Sequence, residues 1–132
     1  MKIKRTERGW AGHFICAQDC TFKRNTLLQY GKKYIVVSTV GWMLRKDANG
    51  VYHSPEQIGA DRYYETMAFY SDDNDDVYHD IDVSKEIYVP DAKWSINKKE
   101  IATYKDTIDN VANKMHEDYV STVSQMLING EL

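Results

Sequence analysis

Alternation of apolar and polar residues dominates the first two thirds of the chain, and a period of three to four residues dominates the last third. The first change of texture predicts strands and the second a helix. Trp10–Ala17 is the first strand expected, and a bend at Gln18 and Asp19 leads into a second, Cys20–Tyr30. Gly31-Lys32 then makes a two-residue hairpin turn, with Gly first as a type II′ turn prefers. Lys33–Val40 follows, and its near-continuous run Tyr34-Ile35-Val36-Val37 predicts a central strand covered on both faces, ended by Gly41.

Residues 43–61 read as a loop, with turns at Asn49-Gly50 and around Ser54-Pro55. A strand over Arg62–Tyr70 comes next, then an acidic turn over Ser71–Asp76. Val77–Val89 alternates, with His79, Ile81 and Val83 on one side and Tyr78, Asp80 and Asp82 on the other; Pro90-Asp91 ends it.

From Asn97 the apolar positions are Ile101, Tyr104, Ile108, Val111, Met115, Tyr119, Val123 and Met126, an amphipathic helical stripe. Asn97 with Glu100 resembles a capping box, and Asn129-Gly130 is a suitable stop. Neither Gly nor Pro interrupts 98–128, although two helices fit the pattern as well as one. A single helix would be about 45 Å long from its 1.5 Å rise. That exceeds a sheet domain of this size, so part of it is expected to pack on another copy of the chain. The expectation is thus one α+β domain over residues 1–132: an antiparallel sheet over 10–89, then a helix or helix pair over 97–129.

Charge adds an asymmetry that this pattern does not show. Residues 1–70 hold 11 Lys/Arg and 6 Asp/Glu, a formal +5, while 71–132 hold 6 and 14, a formal −8. The sum is the net −3 of the 132-residue chain, which argues against binding a nucleic acid polymer non-specifically. A basic, aromatic sheet suits a small anionic ligand, because cations hold phosphate and rings stack on bases. No apolar run approaches a membrane span, and the basic N-terminus is followed by no apolar segment of a signal peptide. Two cysteines, Cys16 and Cys20, fit a reduced, cytoplasmic setting.

Candidate chemistry is sparse. His13, Cys16 and Cys20 have the spacing H-x2-C-x3-C, which matches no common zinc pattern, so buried thiols and no metal are expected. The acidic run from Asp72 fails the calcium-loop pattern, with Val77 and Val83 where Gly and Glu are needed. None of the four histidines begins a His-x-Thr/Ser element, and the chain has no phosphate loop and no G-x-S-x-G. No catalytic residue and no cofactor is expected. What stands out is cationic and aromatic. Lys23-Arg24-Asn25-Thr26 sits inside a strand, and Arg62–Phe69 places Tyr63, Met67 and Phe69 on one face with Arg62 and Tyr64 on the other. Phe69 and Met67 are candidates to stack on a base, Arg24 to pair with phosphate, and Asp80 or Asp82 to accept from ribose. Asn25, Arg62 and Tyr64 complete that candidate surface, together with Trp10 and His13. The competing reading makes Met67 and Phe69 core residues.

Four blocks carry a resemblance: Gly9-Trp10-Ala11-Gly12-His13-Phe14-Ile15-Cys16-Ala17, Phe22-Lys23-Arg24-Asn25-Thr26-Leu27-Leu28, Ile35-Val36-Val37-Ser38-Thr39-Val40-Gly41, and Arg62-Tyr63-Tyr64-Glu65-Thr66-Met67-Ala68-Phe69. They resemble a widespread family of small phage and prophage proteins. In size and in its order of sheet then helix, the chain also resembles the first-described Thoeris anti-defence family. Its members are oligomeric sponges that hold cyclic ADP-ribose-type immune signals without degrading them, and some hold cyclic oligonucleotides at a second site. The resemblance implies a homo-oligomer in the cytoplasm of an infected bacterium. It puts the family's adenine-stacking Phe on Phe69 and its polar partner near Asp80. A distal Arg of that pocket has no counterpart, since no Arg follows Arg62. Two other functions fit the residues: an enzyme that cleaves such a signal, and an acidic inhibitor that binds a host defence protein through 71–132.

Overall fold

The backbone turns back on itself at Gly31-Lys32, and a five-strand antiparallel meander grows from that hairpin. A computed structural model describes residues 2–9, 12–13, 19–52, 55–72 and 79–132. The strands are β1 (Lys4–Arg8), β2 (Cys20–Tyr30), β3 (Lys33–Met43), β4 (Tyr64–Ser71) and β5 (Ile81–Ile87), in spatial order β1-β2-β3-β4-β5. A two-residue strand, β6 (Ser95–Ile96), pairs with the start of β4. Two helices follow, α1 (Lys98–Thr103) and α2 (Ile108–Ile128). The α+β expectation holds.

The β2–β3 hairpin is as expected. Tyr30 faces Lys33, and Gly31 has φ of 63° while Lys32 does not enter the positive region, as a type II′ turn requires. β3 is the central strand and is buried from Ile35 to Gly41. Gly41 does not end it; β3 runs on to Met43. A side chain at Gly41 would meet the Tyr64 ring at 2.5 Å and Phe22 Cβ at 2.7 Å. That glycine serves packing between strands, not termination.

Other boundaries moved for physical reasons. β1 comes from the basic segment Lys4–Arg8, which has no apolar alternation. It is an exposed edge strand held by its ladder to Asn25–Gln29 and by ion pairs, so hydrophobic pattern carries no trace of it. Of the strand expected over Trp10–Ala17, Gly12 and His13 are described and lie outside any strand, and the other six residues lie outside the described set. β4 starts at Tyr64, not Arg62, and β5 is shorter than Val77–Val89. The acidic turn from Asp73 onward lies outside the described residues.

The helical region is two helices. Asn97 Oδ1 accepts from the Glu100 amide at 3.0 Å, so the cap is as expected. The chain leaves helix at Tyr104–Thr107 and re-enters at Ile108, and Gly130 (φ 75°) follows the α2 C-cap Asn129. A 21-residue helix is about 31 Å long, shorter than an 11-residue strand at about 37 Å. The helix is therefore not too long for this domain, and α2 lies on its own sheet. Tyr119, Val120, Val123 and Leu127 pack on Leu28, Ile35, Val37 and Ala68. Ile108, Ala112 and Met115 pack around Tyr64 and Ile96.

Candidate functional site

Pairing register sorts the expected site residues between two faces. Arg24, Thr39 and Thr66 are cross-strand partners, as are Asn25, Ser38 and Met67. Directly opposed residues share a face and their neighbours take the other. Arg24 and Tyr64 thus belong to the helix-covered face, and Asn25, Met67 and Phe69 to the opposite one. Arg24 and Phe69 do not meet in one pocket; the sheet lies between them.

On the helix face Arg24 is fully engaged. Its Nη2 donates to Glu7 Oε1 at 2.6 Å and Glu117 Oε1 at 2.9 Å, its Nε to Glu7 at 2.9 Å, and its Nη1 to Asn113 Oδ1 at 3.3 Å. Behind it lies a buried chain. Thr26 Oγ1 donates to Glu7 Oε2 at 2.7 Å, so toward His116 it can only accept. His116 Nε2, at 2.7 Å, is therefore the N–H. Nδ1 then accepts from Thr39 Oγ1 at 2.7 Å, and Thr66 donates to Thr39 at 2.6 Å. Every hydrogen has one place. His116 has no exposed surface, and burial, then the Arg24 charge, push its pKa down to about 4, so it is neutral. Glu117 stands at about 2, chiefly through its hydrogen bond from Arg5. Tyr64 donates to Asp109 at 2.7 Å; burial and that bond raise its pKa.

The opposite face holds a second chain. His13 Nδ1 lies 3.0 Å from Ser38 Oγ and Nε2 lies 2.8 Å from Glu65 Oε1. Glu65 Oε2 accepts from Arg62 Nε at 2.7 Å. Burial pushes the Glu65 carboxyl up, but the His13 hydrogen bond and attraction to His13 and Arg62 outweigh it, leaving it below the usual range. Ser38, His13 and Glu65 have the composition of a nucleophilic triad. Ser38 is wholly buried, however, so no substrate reaches its hydroxyl. Phe69 is 3% exposed with the His13 ring 5.6 Å from its own, so the face meant for a base is occupied. Asn25 accepts from Arg8 Nε at 2.9 Å.

Arg62 leads out of this chain into a cleft of about 440 Å³, within the range of small-molecule sites. The outer edge of β4 is shared by two short strands, β6 over Tyr64–Glu65 and β5 from Ala68 onward. The gap between them, at Met67, is the cleft. Its walls include Arg62, Glu65, Met67, Glu86, Trp94 and Tyr119. Trp94 is 44% exposed, and the Arg62 guanidinium carbon stands 5.6 Å from the centre of its ring. Among the described residues Arg62 hydrogen-bonds through Nε alone, so its two terminal nitrogens are free to donate. Tyr119 is raised to about 12 by burial and by Glu86 and Glu65.

Of the expected residues, Arg62 and Met67 therefore line the cleft, and His13 stands behind it. Asp80 and Asp82 serve the entry to β5, accepting from the Ile81 amide and from Ser84. Trp10 lies outside the described residues. Glu65, Glu86 and Trp94 were not expected. Glu65 had a signal: a carboxylate at the strand period of Met67 and Phe69, on a face otherwise apolar. Trp94 had none, because it sits in a connection between elements.

Among the described residues, no three His, Cys, Asp or Glu side chains cluster as metal ligands, and Cys16 of the spacing noted above is not among them. No described helix is long and apolar enough to cross a membrane. No family model, no curated protein and no solved structure matches this chain.

Proposed function

We propose that this chain is a binding protein that captures a compact cyclic nucleotide signal and gives it back intact, in the manner of the phage anti-defence sponges its sequence resembles. The observation that supports this is the cleft beside β4. It joins a half-exposed indole to a guanidinium that has two free donor nitrogens and stands on a fixed carboxylate. Trp94 offers a base a stacking face, Arg62 offers a phosphate two donors, and Glu86 offers an acceptor to an amino group or a ribose hydroxyl. The site is thereby moved from Phe69 and Arg24, whose interacting faces are taken, to Trp94 and Arg62. The proposal includes a homo-oligomer joined through the helical region, where Tyr104 and Ile128 are exposed large side chains.

The test is capture and release. The protein is incubated with cyclic ADP-ribose-type and cyclic dinucleotide candidates, separated from free ligand and heated, and the released material is analysed. Intact nucleotide is the expected result. A changed nucleotide makes the chain an enzyme, and no capture of any candidate favours an inhibitor that binds a host protein. Light scattering that reads the monomer mass of 15.4 kDa at micromolar concentration removes the oligomer from the proposal.

A further inference from the structure

A guanidinium on a cleft wall is useful to a ligand only if it is already held where the ligand needs it. Arg side chains lose much rotamer freedom on ordering, and a preorganised one saves that cost at binding. Arg62 projects from the residues just before β4, is about one-third exposed, and lays its guanidinium against Gly59, where a Cβ would fall 2.2 Å from Nη2. What aims its Nε–H is behind the wall. Glu65 takes Arg62 Nε on one oxygen and His13 Nε2 on the other. The imidazole is in turn pinned at Nδ1 by Ser38 Oγ, and the same oxygen accepts the His13 backbone amide at 3.1 Å.

We propose that His13 is a positioning residue for the cleft: through Glu65 it holds the Arg62 guanidinium over Trp94, although it touches no ligand itself. The chain is Ser38, His13, Glu65, Arg62. Nε2 carries the hydrogen that Glu65 accepts in either protonation state of the ring. Neutral His13 takes the Ser38 hydroxyl hydrogen on Nδ1; charged His13 donates there, and the Ser38 oxygen accepts. Phe69 belongs to the same device, since its ring lies against the imidazole and limits its tilt. Gly12 allows the approach, because a Cβ there would fall 2.8 Å from Ser38 Oγ and 2.3 Å from Val40.

This inference deepens the reading of the cleft given above and takes its binding role from it, but its geometry is testable without ligand. The signal is the Arg62 Nε–H resonance in nitrogen-labelled protein, identified by its loss in Arg62→Lys. In the wild type, that hydrogen should exchange slowly because Glu65 accepts it. In His13→Ala, exchange should quicken by about tenfold or more, as expected when a charge-assisted bond loses its support. His13→Gln, an amide that can donate to Glu65 and accept from Ser38, should restore the slow exchange. A purely structural His13 would show loss of melting temperature with an unchanged Arg62 signal, and that result overturns the proposal. If His13→Ala does not fold, Ser38→Ala decides: it leaves the imidazole in place but unpinned, and an unchanged Arg62 signal again overturns the relay. Cyclic ADP-ribose capture is measured on the same proteins, and weaker capture by His13→Ala with restoration by His13→Gln is the expected result. If the wild type holds no nucleotide, the reading of the cleft fails, and the Arg62 signal still decides the relay.

Discussion

The two faces of one sheet carry two chains of polar groups built from similar parts, and they do different work. Under α2, Thr66, Thr39, His116, Thr26 and Glu7 form a closed line in which each hydrogen has one acceptor. On the other side, Ser38, His13, Glu65 and Arg62 form a line that ends at a cleft wall with donors unspent. The first is wholly satisfied inside the protein, so it contributes to stability and specificity of packing. The second is satisfied at three members and open at the fourth, so it offers something to a ligand. Burial alone does not separate them, because His116 is buried and the His13 side chain is only 4% exposed. The difference lies in where each line ends.

The comparison breaks most readily at Phe69. If its face is core, Phe69→Ala should lose about 3–5 kcal/mol of stability in denaturant melts, while capture by the folded fraction changes only as far as His13 is loosened. A variant that melts as the wild type does but binds poorly would return Phe69 to the ligand.

Acid should sharpen the contrast next. The His116 pKa is about 4 when folded and 6.5 when unfolded, so between those values the unfolded chain binds more protons. Stability is then complete above pH 6.5 and is lost as pH falls toward 4, by about 3 kcal/mol in all. Glu7 and Glu117, whose pKa values are also depressed, lose their contribution at still lower pH and in the same direction. Melts of the wild type and of His116→Leu should show a slope between pH 6.5 and 4 that the variant lacks. An equal slope in both places the acid sensitivity elsewhere.

The smallest effect should be on the open side. Trp94→Ala removes a stacking face worth about 1–3 kcal/mol to a bound nucleotide, so capture should weaken at least several-fold. Melting should move little, since much of that indole is already in solvent. Unchanged capture would take Trp94 out of the site.

The β2–β3 hairpin, the buried β3, the Asn97 cap and the order of sheet then helix could be read in the sequence because each leaves a periodic or local mark. β1 could not, since Lys4–Arg8 is an edge held by charge. β6 could not, since two residues carry no period. The cleft was legible only in part. Arg62 and Met67 were recognised as cationic and apolar members of one segment, but their neighbours Glu86 and Trp94 come from beyond β4 and meet them through a gap between two short strands. Arg24 was misplaced because composition sees a cation inside a strand and does not see which carboxylates the fold brings to it. His116 was missed because the stripe was traced through apolar residues alone, although the histidine lies four residues after Ala112 and seven before Val123, on the face that α2 buries.

That buried histidine has a consequence for how α2 is set. Apolar side chains tolerate sliding, since one methyl contact replaces another at little cost. An imidazole with a hydroxyl 2.7 Å from each nitrogen does not. Inserting one residue between Ile108 and His116 would turn the ring about 100° around the helix axis and carry it about 1.5 Å along it. Thr39 would then lose its acceptor and Thr26 its imidazole donor, leaving Thr39 only Thr66 and Thr26 only Glu7. His116 thus acts as a dowel: it tells the helix which of several nearly equivalent seatings on the sheet is the right one, and so indexes Ile108 and Asp109 at one end of α2 against Leu127 at the other.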